Sequence, residues 1–489
     1  MEIELKLALD ARLAPRLKRH ALLAGNKPRH QRLHTLYLDT PEFDLLARRV
    51  AFRLRRVGYH WVQTVKAEAR AVGALSSRPE WEVAVAGSGA DFAVLPAEAL
   101  ARLAGVDLDR LAPVFETEFQ RTTWQVDTRD GRAEVALDRG EVRAGGARKP
   151  IAEVEIELKS GSPAGLFELA RALLDELPLR VEARGKAERG YQLAEALIPA
   201  PLRAVKPGLR PDMPAGQSWL EITRAALVQL SANVPGFLEQ AEDIEYLHQL
   251  RIALRRLRAV VGLGKSLGQP RPAWSGELGE IMRGLNAARD WDVFLHETLP
   301  AVEAVLAAQP LGDAFQEQVR RAAARARQEA QALVASPAFT RLVLDIGASL
   351  LEDHPQDQPT AQWAAHLLDE RWKKLRLLCR KLSSLGPGGR HQARIAAKKL
   401  RYAADALAGL YGKRGNGFIK RLADLQDTLG QANDAYVATR LLEELVQDTP
   451  ALAWDAGRVS GVMSERVGDH GLASDAVWRR MAKAKAFWR

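Results

Sequence analysis

The chain lacks the features of several large classes of protein. Cys379 is its only cysteine, so no intrachain disulfide can form, and a reducing compartment such as the cytoplasm is expected. No uninterrupted apolar run reaches the length of a transmembrane helix. The charged residues that follow Met1 leave no room for the apolar segment of a signal peptide. These absences predict a soluble, cytoplasmic protein with no membrane partner.

Motifs of common enzyme and nucleic-acid-binding classes are also missing. No glycine-rich loop followed by Lys and Ser or Thr occurs, which excludes a P-loop enzyme. Neither His-Glu-x-x-His nor paired Cys-x-x-Cys occurs, which removes the usual zinc sites. Nothing resembles a helix-turn-helix or a zinc finger, so sequence-specific binding of nucleic acid is not expected.

The 489 residues are too many for one ordinary core, so two or three domains are expected. Residues 1–198 read mostly as short strands separated by turn residues. Clustered prolines in 199–216 predict a stiff linker. In 217–489 apolar residues recur at helical spacing throughout. The predicted fold class is therefore α+β multidomain, with a β domain followed by an all-α domain.

The helical part repeats itself. The block from His248 to Arg258 matches the block from His391 to Arg401, 143 positions later. A second pair of blocks, 285–290 and 429–434, follows in phase. Matched blocks at a nearly constant offset predict two duplicated helical bundles of about four helices each, with halves near 217–350 and 360–489.

Charged and apolar side chains alternate in several predicted strands of the β domain. In Glu2-Ile3-Glu4-Leu5-Lys6 the charged residues share one face, because successive side chains of a strand point to opposite sides. One such strand ordinarily turns its charged face to solvent. So many dense charged faces indicate instead a face turned inward to a polar cavity. The alternation recurs at Arg53 and Arg55, at Glu80 and Glu82, at Glu134 and Asp138, and at Glu153, Glu155 and Glu157.

These residue types suit a phosphate chain and a metal. Crowded carboxylates repel one another unless cations neutralise them, and Mg²⁺ and Mn²⁺ both accept such oxygen ligands. A solvated acidic strand paired with basic neighbours stays an alternative. Arginine binds phosphate through two parallel hydrogen bonds, and lysine binds it as a point charge. Basic residues in strand-like contexts are Lys6, Arg53, Arg55, Lys66, Arg121, Arg184 and Lys186.

Glu2-Ile3-Glu4-Leu5-Lys6 matches the Glu-x-Glu-x-Lys signature of the CYTH superfamily, also called triphosphate tunnel metalloenzymes, and the chain resembles that family from Glu2 to Tyr191. The resemblance implies an eight-stranded antiparallel β tunnel with its charged faces in the lumen. It also implies an Mg²⁺- or Mn²⁺-dependent attack of water on a triphosphate. The other matching segments, in the family's order, are Tyr37-Leu38-Asp39-Thr40, Arg53-Leu54-Arg55, Lys66, Arg78-Pro79-Glu80, Arg121, Glu134 to Asp138, Glu153 to Leu158, and Gly185-Lys186 before Arg189-Gly190-Tyr191.

The resemblance also implies roles for these residues. Glu80 and Glu134, like Glu157, would orient the reacting groups or complete the metal shell. Gly185 departs from the family, in which many relatives have Ser. The candidate metal ligands are Glu2, Glu4, Asp138, Glu153, Glu155 and Glu157. The candidate triphosphate-binding residues are Lys6, Arg53, Arg55, Arg121, Lys186 and, from its basic strand-like context, Arg184. The candidate catalytic residues are Lys66, Glu80 and Glu134.

Basic residues line one face of a helix in each copy of the repeat, and +8 of the net charge of +10 lies after residue 200. A single basic stripe is most often a solvated face, but two copies headed by histidine favour a bound polyanion. The helical part resembles a CHAD domain, which implies binding of inorganic polyphosphate without catalysis. The two stripes are His248, Arg251, Arg255 and Arg258, and His391, Arg394, Lys398 and Arg401.

The function that these residues favour is an inorganic triphosphatase, which hydrolyses tripolyphosphate to pyrophosphate and phosphate while the helical domain binds longer polyphosphate. Two alternatives stay open. One is another CYTH activity, either thiamine triphosphate hydrolysis or adenylate cyclase-type chemistry on ATP. The other is a non-catalytic polyphosphate-binding scaffold, which metal-dependent phosphate release would separate from the enzymes.

Overall fold

A computed structural model describes residues 1–489 apart from 69, 241, 353, 355, 381, 383, 384 and 469, and describes the backbone alone at 70, 71, 387, 431–434, 466–468 and 470–474. Contacts divide the chain into two compact units. Unit 1 comprises Met1–Arg203, Leu227–Leu250 and Val334–Glu352. Unit 2 comprises residues 204–226, 251–333 and 353–489.

Unit 1 is built on one antiparallel sheet with eleven strands in the part of the chain described. Eight of them have six residues or more, and the three short strands β5, β6 and β11 raise the count above the predicted eight. The order is β5-β6-β1-β10-β9-β8-β2-β3-β4-β7, and β11 pairs with β1. The strands are β1 (Glu2–Ala8), β2 (Arg29–Asp39), β3 (Ala51–Val57), β4 (His60–Lys66), β5 (Arg70–Val72), β6 (Leu75–Arg78), β7 (Glu80–Val85), β8 (Ala112–Asp127), β9 (Arg132–Ala144), β10 (Ala147–Ser160) and β11 (Arg180–Val181).

A single residue joins the two ends of the sheet. β6 pairs with β1, and β7 pairs with β4 at the far end of the strand order. Only Pro79 separates β6 from β7, so this one segment closes the curled sheet around its concave face. Proline has no N–H to donate to a ladder, but the Pro79 carbonyl accepts a hydrogen bond from the Ala67 N–H at 3.1 Å.

The two faces of the sheet differ as the alternation predicted. Leu5 and Leu7 of β1 are fully buried in an apolar core with Ile156 of β10. Helix α5 (Ala164–Glu176) covers this face through residues such as Phe167. The charged residues of the same strands line the concave face instead. The prediction of an inward-facing charged surface is confirmed.

The other helices of the first 203 residues are short. They are α1 (Ala14–Lys18), α2 (Ala21–Ala24), α3 (Asp44–Ala47), α4 (Ala97–Leu103) and α6 (Lys186–Leu193). Residues 11–23 do not form one continuous helix. The backbone is extended at His20 (ψ 137°), whose ring accepts a hydrogen bond from the Leu22 N–H as the cap of α2. Lys186 begins a helix rather than lying in a strand.

Three helices of the later sequence contribute to unit 1: the C-terminal part of α7 (Ala215–Glu239), the start of α8 (Ile244–Ser266) and all of α13 (Pro337–Ser349). Leu344 of α13 is fully buried in the apolar core of the sheet. Thr340 donates a hydrogen bond to the Leu179 carbonyl at 2.9 Å. The linker is held as well, because Leu202 exchanges two backbone hydrogen bonds with the Asn233 side chain, each of 2.9 Å.

Unit 2 is helical. The matching blocks fall on α8 and α15, and blocks 285–290 and 429–434 both lie at junctions between consecutive helices, as a duplication requires. The helices are more numerous than the predicted four in each half, since short turns divide them. They are α9 (Ser275–Gly284), α10 (Asn286–Val293), α11 (Leu299–Glu303), α12 (Asp313–Val334), α14 (Thr360–Leu378), α15 (Pro387–Leu407), α16 (Asn416–Thr428), α17 (Gln431–Asp448), α18 (Ala453–Gly468) and α19 (His470–Ala482).

Within the described part of the chain, no single helix combines the length and apolar character that would let it cross a membrane. The consecutive helices α12 and α13 meet that criterion only when taken together, and by length and composition alone.

Candidate active site

The concave face of the sheet encloses a cavity of about 370 Å³. Eight basic and six acidic side chains line it, a formal excess of two positive charges that suits a polyanion. The basic residues are Lys6, Arg53, Arg55, Lys66, Arg78, Arg121, Lys159 and Lys186, and the acidic ones are Glu2, Glu4, Glu80, Glu82, Glu155 and Glu157.

Strand register brings opposite charges together across the sheet. Lys6 of β1 stands opposite Glu155 of β10, and their side chains lie 3.5 Å apart. Lys66 of β4 stands opposite Glu80 of β7, with Nζ 3.0 Å from Oε2. Directly opposite residues of antiparallel strands lie within reach of each other's side chains. The cavity is therefore assembled by long-range pairing of locally alternating strands.

Three buried carboxylates form one cluster beside the cavity. One ligand atom from each of Asp138, Glu153 and Glu155 lies within 4.8 Å of the others. Lys186 contacts all three, with Nζ 2.6 Å from Asp138 and 2.9 Å from Glu155. Burial opposes ionisation, but Lys186 and Arg121 outweigh it and hold the pKa of Asp138 and of Glu155 below the usual range. The cluster is therefore anionic at neutral pH.

The donor set of this cluster fits a divalent cation. Converging carboxylate oxygens are the ligands that Mg²⁺ and Mn²⁺ prefer. Arg121 also grips the cluster, since its guanidinium donates two hydrogen bonds to Asp138, of 2.8 and 2.6 Å, and one to Glu155. A bound cation would compete with these basic groups for the same oxygens. The buried acidic cluster could therefore bind a metal, and its chemistry does not distinguish the two ions.

A second network of ion pairs surrounds Glu2 and Glu4 of β1. Arg78 donates hydrogen bonds of 2.8 Å to Glu2 and to Glu4. Lys66 lies 2.9 Å from Glu2. Burial favours the neutral form of Glu2, but Lys66 and Arg78 outweigh it and lower its pKa. Burial, with Arg53 and Arg78 nearby, lowers the pKa of Lys66.

Arg55 stands apart from the other basic residues of the cavity. Among the described residues it forms no ion pair, and its Nε donates to the Thr35 hydroxyl at 3.2 Å. Burial, together with Arg53 and Arg121, lowers the pKa of Arg55 to about 10. Arg53, by contrast, lies 3.2 Å from Glu80. A half-buried guanidinium that forms no ion pair is poised to bind an anionic ligand.

The structure brings eleven of the fifteen predicted residues of the β domain to the cavity wall. Asp138 and Glu153 lie just behind it, in contact with Lys186. Glu134 does not line the cavity, and its carboxylate accepts a hydrogen bond from Gln125 at 2.7 Å. Arg184 does not line it either, because it is bound by Glu182 and by Glu239 of α7. Arg184 lies in the loop before α6 rather than in the expected strand context.

Four of the polar lining residues were missing from the predicted set: Tyr37, Arg78, Glu82 and Lys159. The sequence carried a signal for each of them. Tyr37 and Arg78 lie inside segments that match the CYTH family, and Glu82 and Lys159 continue the alternation of their strands. Arg78 is the most consequential omission, since it contacts two of the three charged residues of β1 that line the cavity.

In the helical region, the basic stripes lie on α8 and α15. Arg251 donates to the Asn286 side chain at 2.7 Å, and Tyr402 of α15 also acts on it electrostatically. Asp405 of α15 interacts with Arg401 at 3.7 Å and with Arg256 of α8. Within unit 2 the two helices are therefore neighbours. His391 and Arg258 are exposed, while His248, Arg255, Arg394 and Lys398 are half-buried.

The chain matches two protein families, one after the other. Residues 1–191 match the CYTH domain and residues 221–443 match the CHAD domain. The chain carries a CYTH domain followed by a CHAD domain. The curled antiparallel sheet with its charged lumen is the CYTH tunnel, and the helical region is the CHAD domain.

Two relatives illustrate the likeness. An inorganic triphosphatase of Haemophilus influenzae is 32% identical over 198 residues, which are 39% of this chain and 54% of that protein. The match thus spans about half the length of that relative. The crystal structure of the CHAD domain from the plant Ricinus communis is 29% identical, covers 59% of this chain and 98% of its own, and has a TM-score of 0.51.

Proposed function

We propose that the CYTH domain is a divalent-metal-dependent inorganic triphosphatase, which hydrolyses tripolyphosphate to pyrophosphate and phosphate. The observation that carries this proposal is a cavity with a formal excess of positive charge, in which Arg55 has no carboxylate partner among the described residues, beside a buried carboxylate cluster. The likeness to the Haemophilus influenzae inorganic triphosphatase supports the choice of substrate.

The basic residues of the cavity bind the phosphate chain. Arg53, Arg55 and Arg78 offer guanidinium forks, which match phosphate oxygens in pairs, while Lys6 and Lys186 act as point charges. Holding the chain among fixed charges lowers the barrier mainly by positioning and by neutralising the phosphoryl oxygens. Arg121 and Lys186 also lower the pKa of Asp138 and of Glu155 and so keep these two carboxylates ionised.

Hydrolysis needs a group that accepts a proton from water and a group that stabilises the leaving pyrophosphate. Mg²⁺ or Mn²⁺ on Asp138, Glu153 and Glu155 would neutralise phosphoryl charge and acidify water. Burial, with Glu2 and Glu134 nearby, raises the pKa of Glu157 despite Lys159, which makes it a better base than Glu2 or Glu155, whose pKa values are lowered. Water attacks the terminal phosphorus, its proton passes to Glu157, and the bond to the bridging oxygen breaks. Lys66 donates a hydrogen bond to the departing oxygen of pyrophosphate.

The test is phosphate release by the full chain, with tripolyphosphate, ATP, thiamine triphosphate and long-chain polyphosphate supplied in parallel, each with Mg²⁺, Mn²⁺ or a chelator. We expect turnover of tripolyphosphate above the others, and its loss with the chelator. Glu155→Gln should abolish turnover, while the exposed Glu98→Gln on α4 should not change it. Silence on all four substrates, or turnover that persists without divalent metal, would refute the proposal.

We further propose that the CHAD domain binds inorganic polyphosphate without hydrolysing it. The support is the pair of basic stripes on neighbouring helices, and the Nε atoms of Arg251 and Arg255, which are buried without a hydrogen-bond partner in the part of the chain described. A second candidate activity, adenylate cyclase-type chemistry, would need a nucleoside pocket, and no observation here favours it.

A further inference from the structure

The start of α6 is fixed to the wall of the active-site cavity. Lys186, its first residue, contacts all three carboxylates of the buried cluster. Arg189, one turn later, is buried and contacts Glu153. The loop that precedes this helix, residues 182–185, therefore determines where the Lys186 ammonium lies.

Arg184 fixes the conformation of that loop. It is buried, and Glu182 accepts hydrogen bonds from its backbone N–H at 3.0 Å, from Nε at 3.1 Å and from Nη2 at 3.0 Å. Arg189 also acts electrostatically on Glu182. A continuous series of opposite charges thus leads from Lys186 through Glu153, Arg189 and Glu182 to Arg184.

The outer end of this series lies on a helix of the CHAD sequence. Glu239, the last residue of α7, accepts a 3.0 Å hydrogen bond from Arg184 Nη1 and a second one from Nη2. Its carboxylate also lies 2.7 Å from Lys149 of β10. Burial opposes its ionisation, but Arg184 and Lys149 lower the pKa of Glu239 to about 2. The residue is therefore a charged partner at neutral pH.

We propose that Glu239 is a positioning residue for the CYTH active site: through Arg184 it fixes the segment that presents Lys186 to the cavity. The inference rests on the proposed function for its effect on turnover, but the contact itself does not. A carboxylate supplied by α7 thus completes the support of a tunnel residue, although α7 follows the last residue that matches the CYTH family.

The decisive variant is Glu239→Gln in the full chain. Glutamine keeps the shape of the Glu239 side chain but lacks the negative charge that binds Arg184. The N-terminus of α6 should therefore become more mobile. Glu239 is partly exposed, so the variant is expected to fold. We expect faster amide hydrogen exchange at 184–190 and about a fivefold fall in kcat/KM for tripolyphosphate, because small misplacements of positioning groups reduce rate strongly.

Two controls separate this role from general effects. Glu242→Gln makes the same charge change three residues later, on an exposed side chain, and should match the wild type in both measurements. Lys149→Met removes the other partner of Glu239 but leaves Arg184 bound, so it should change exchange at 184–190 little.

The outcomes are distinct. Faster exchange with reduced turnover in Glu239→Gln alone supports the proposal. Unchanged exchange overturns it, and so does faster exchange with unchanged turnover, which would leave the contact a structural one only. If the wild-type chain does not hydrolyse tripolyphosphate, the proposed function fails, while the exchange measurement still decides whether Glu239 holds α6.

Discussion

Arg55 differs from the other cations of the cavity because it forms no ion pair among the described residues, and Glu82 offsets its charge only at longer range. Its neighbours Arg53 and Arg121 repel it, and burial removes it from water. A bound phosphate would relieve both effects. Removing this side chain deprives the substrate of a partner. It leaves no buried carboxylate without its ion-pair partner.

We therefore predict that Arg55→Gln raises KM for tripolyphosphate by about 10- to 100-fold, the range expected for the loss of a charge-assisted hydrogen bond of about 1.5–3 kcal/mol. The melting temperature should stay near that of the wild type. Steady-state kinetics and thermal unfolding test this. Arg56→Gln, on the exposed face of the same strand, is the matched control. An unchanged KM would remove Arg55 from the phosphate-binding set.

Glu157 gives a pH-dependent prediction. A base must be ionised to accept a proton, so kcat/KM should fall as the pH drops through the raised pKa of Glu157, above its usual value of 4.5. In Glu157→Gln turnover should be low, and this acidic limb should disappear from the pH–rate profile. A limb that persists unchanged in the variant would show that another group accepts the proton.

At the scale of single elements, β1 and β10 were predictable from sequence, because successive side chains of any strand point to opposite faces. The faces of these strands needed no knowledge of their partners. Arg184 was not predictable, since its role depends on Glu239, 55 positions later and on a helix. Glu134 shows the same limit: its position within β9 is local, but its distance from the cavity depends on how the sheet curls.

The helices of the CHAD domain were predictable in outline but not in number. Apolar spacing marks α8 and α15 clearly, and the repeated blocks locate them in matching halves. The break at Leu285, between α9 and α10, has no proline, and the adjacent Gly284 is not decisive, since Gly262 and Gly264 lie inside α8. Such breaks arise from packing, which a local pattern does not contain.

The stripe on α8 makes a prediction for polyphosphate binding. Arg255→Gln should weaken binding of long-chain polyphosphate and reduce the salt dependence of the affinity, because each basic residue that neutralises a phosphate releases a counterion. Binding titrations at several salt concentrations measure both. Arg325 is exposed on α12, outside the stripe. The control variant Arg325→Gln removes the same charge as Arg255→Gln and should bind polyphosphate as the wild type does. Equal weakening in both variants would point to net charge rather than to the stripe.

At the scale of the whole molecule, the compact unit of the sheet is not contiguous in sequence. Leu344 of α13 is fully buried against the sheet, and Arg171 of α5 donates to Asp345 at 2.6 Å. The apolar core of the CYTH tunnel therefore includes a residue that the family match to 1–191 does not contain.

Leu344→Ala should destabilise the full chain by about 2–5 kcal/mol, since it removes a fully buried side chain and leaves a cavity. Chemical denaturation followed through the tryptophan signal measures this. Leu351→Ala, at a side chain 42% exposed, should cost far less. Equal stability of the two variants would mean that α13 is dispensable for the sheet.

The pairing of β1 also dictates an order of events during synthesis. β1 leaves the ribosome before its partner β10, which ends at Ser160. At about 5–20 residues per second, the first strand waits on the order of 10 s or more for that partner. During this interval β6, which ends at Arg78, is the partner available to β1, and Leu5 and Leu7 still lack Ile156 of β10 in their apolar core. Slowed elongation before Ser160 would prolong the exposure of these apolar side chains. A chaperone bound to β1 would cover them during that time.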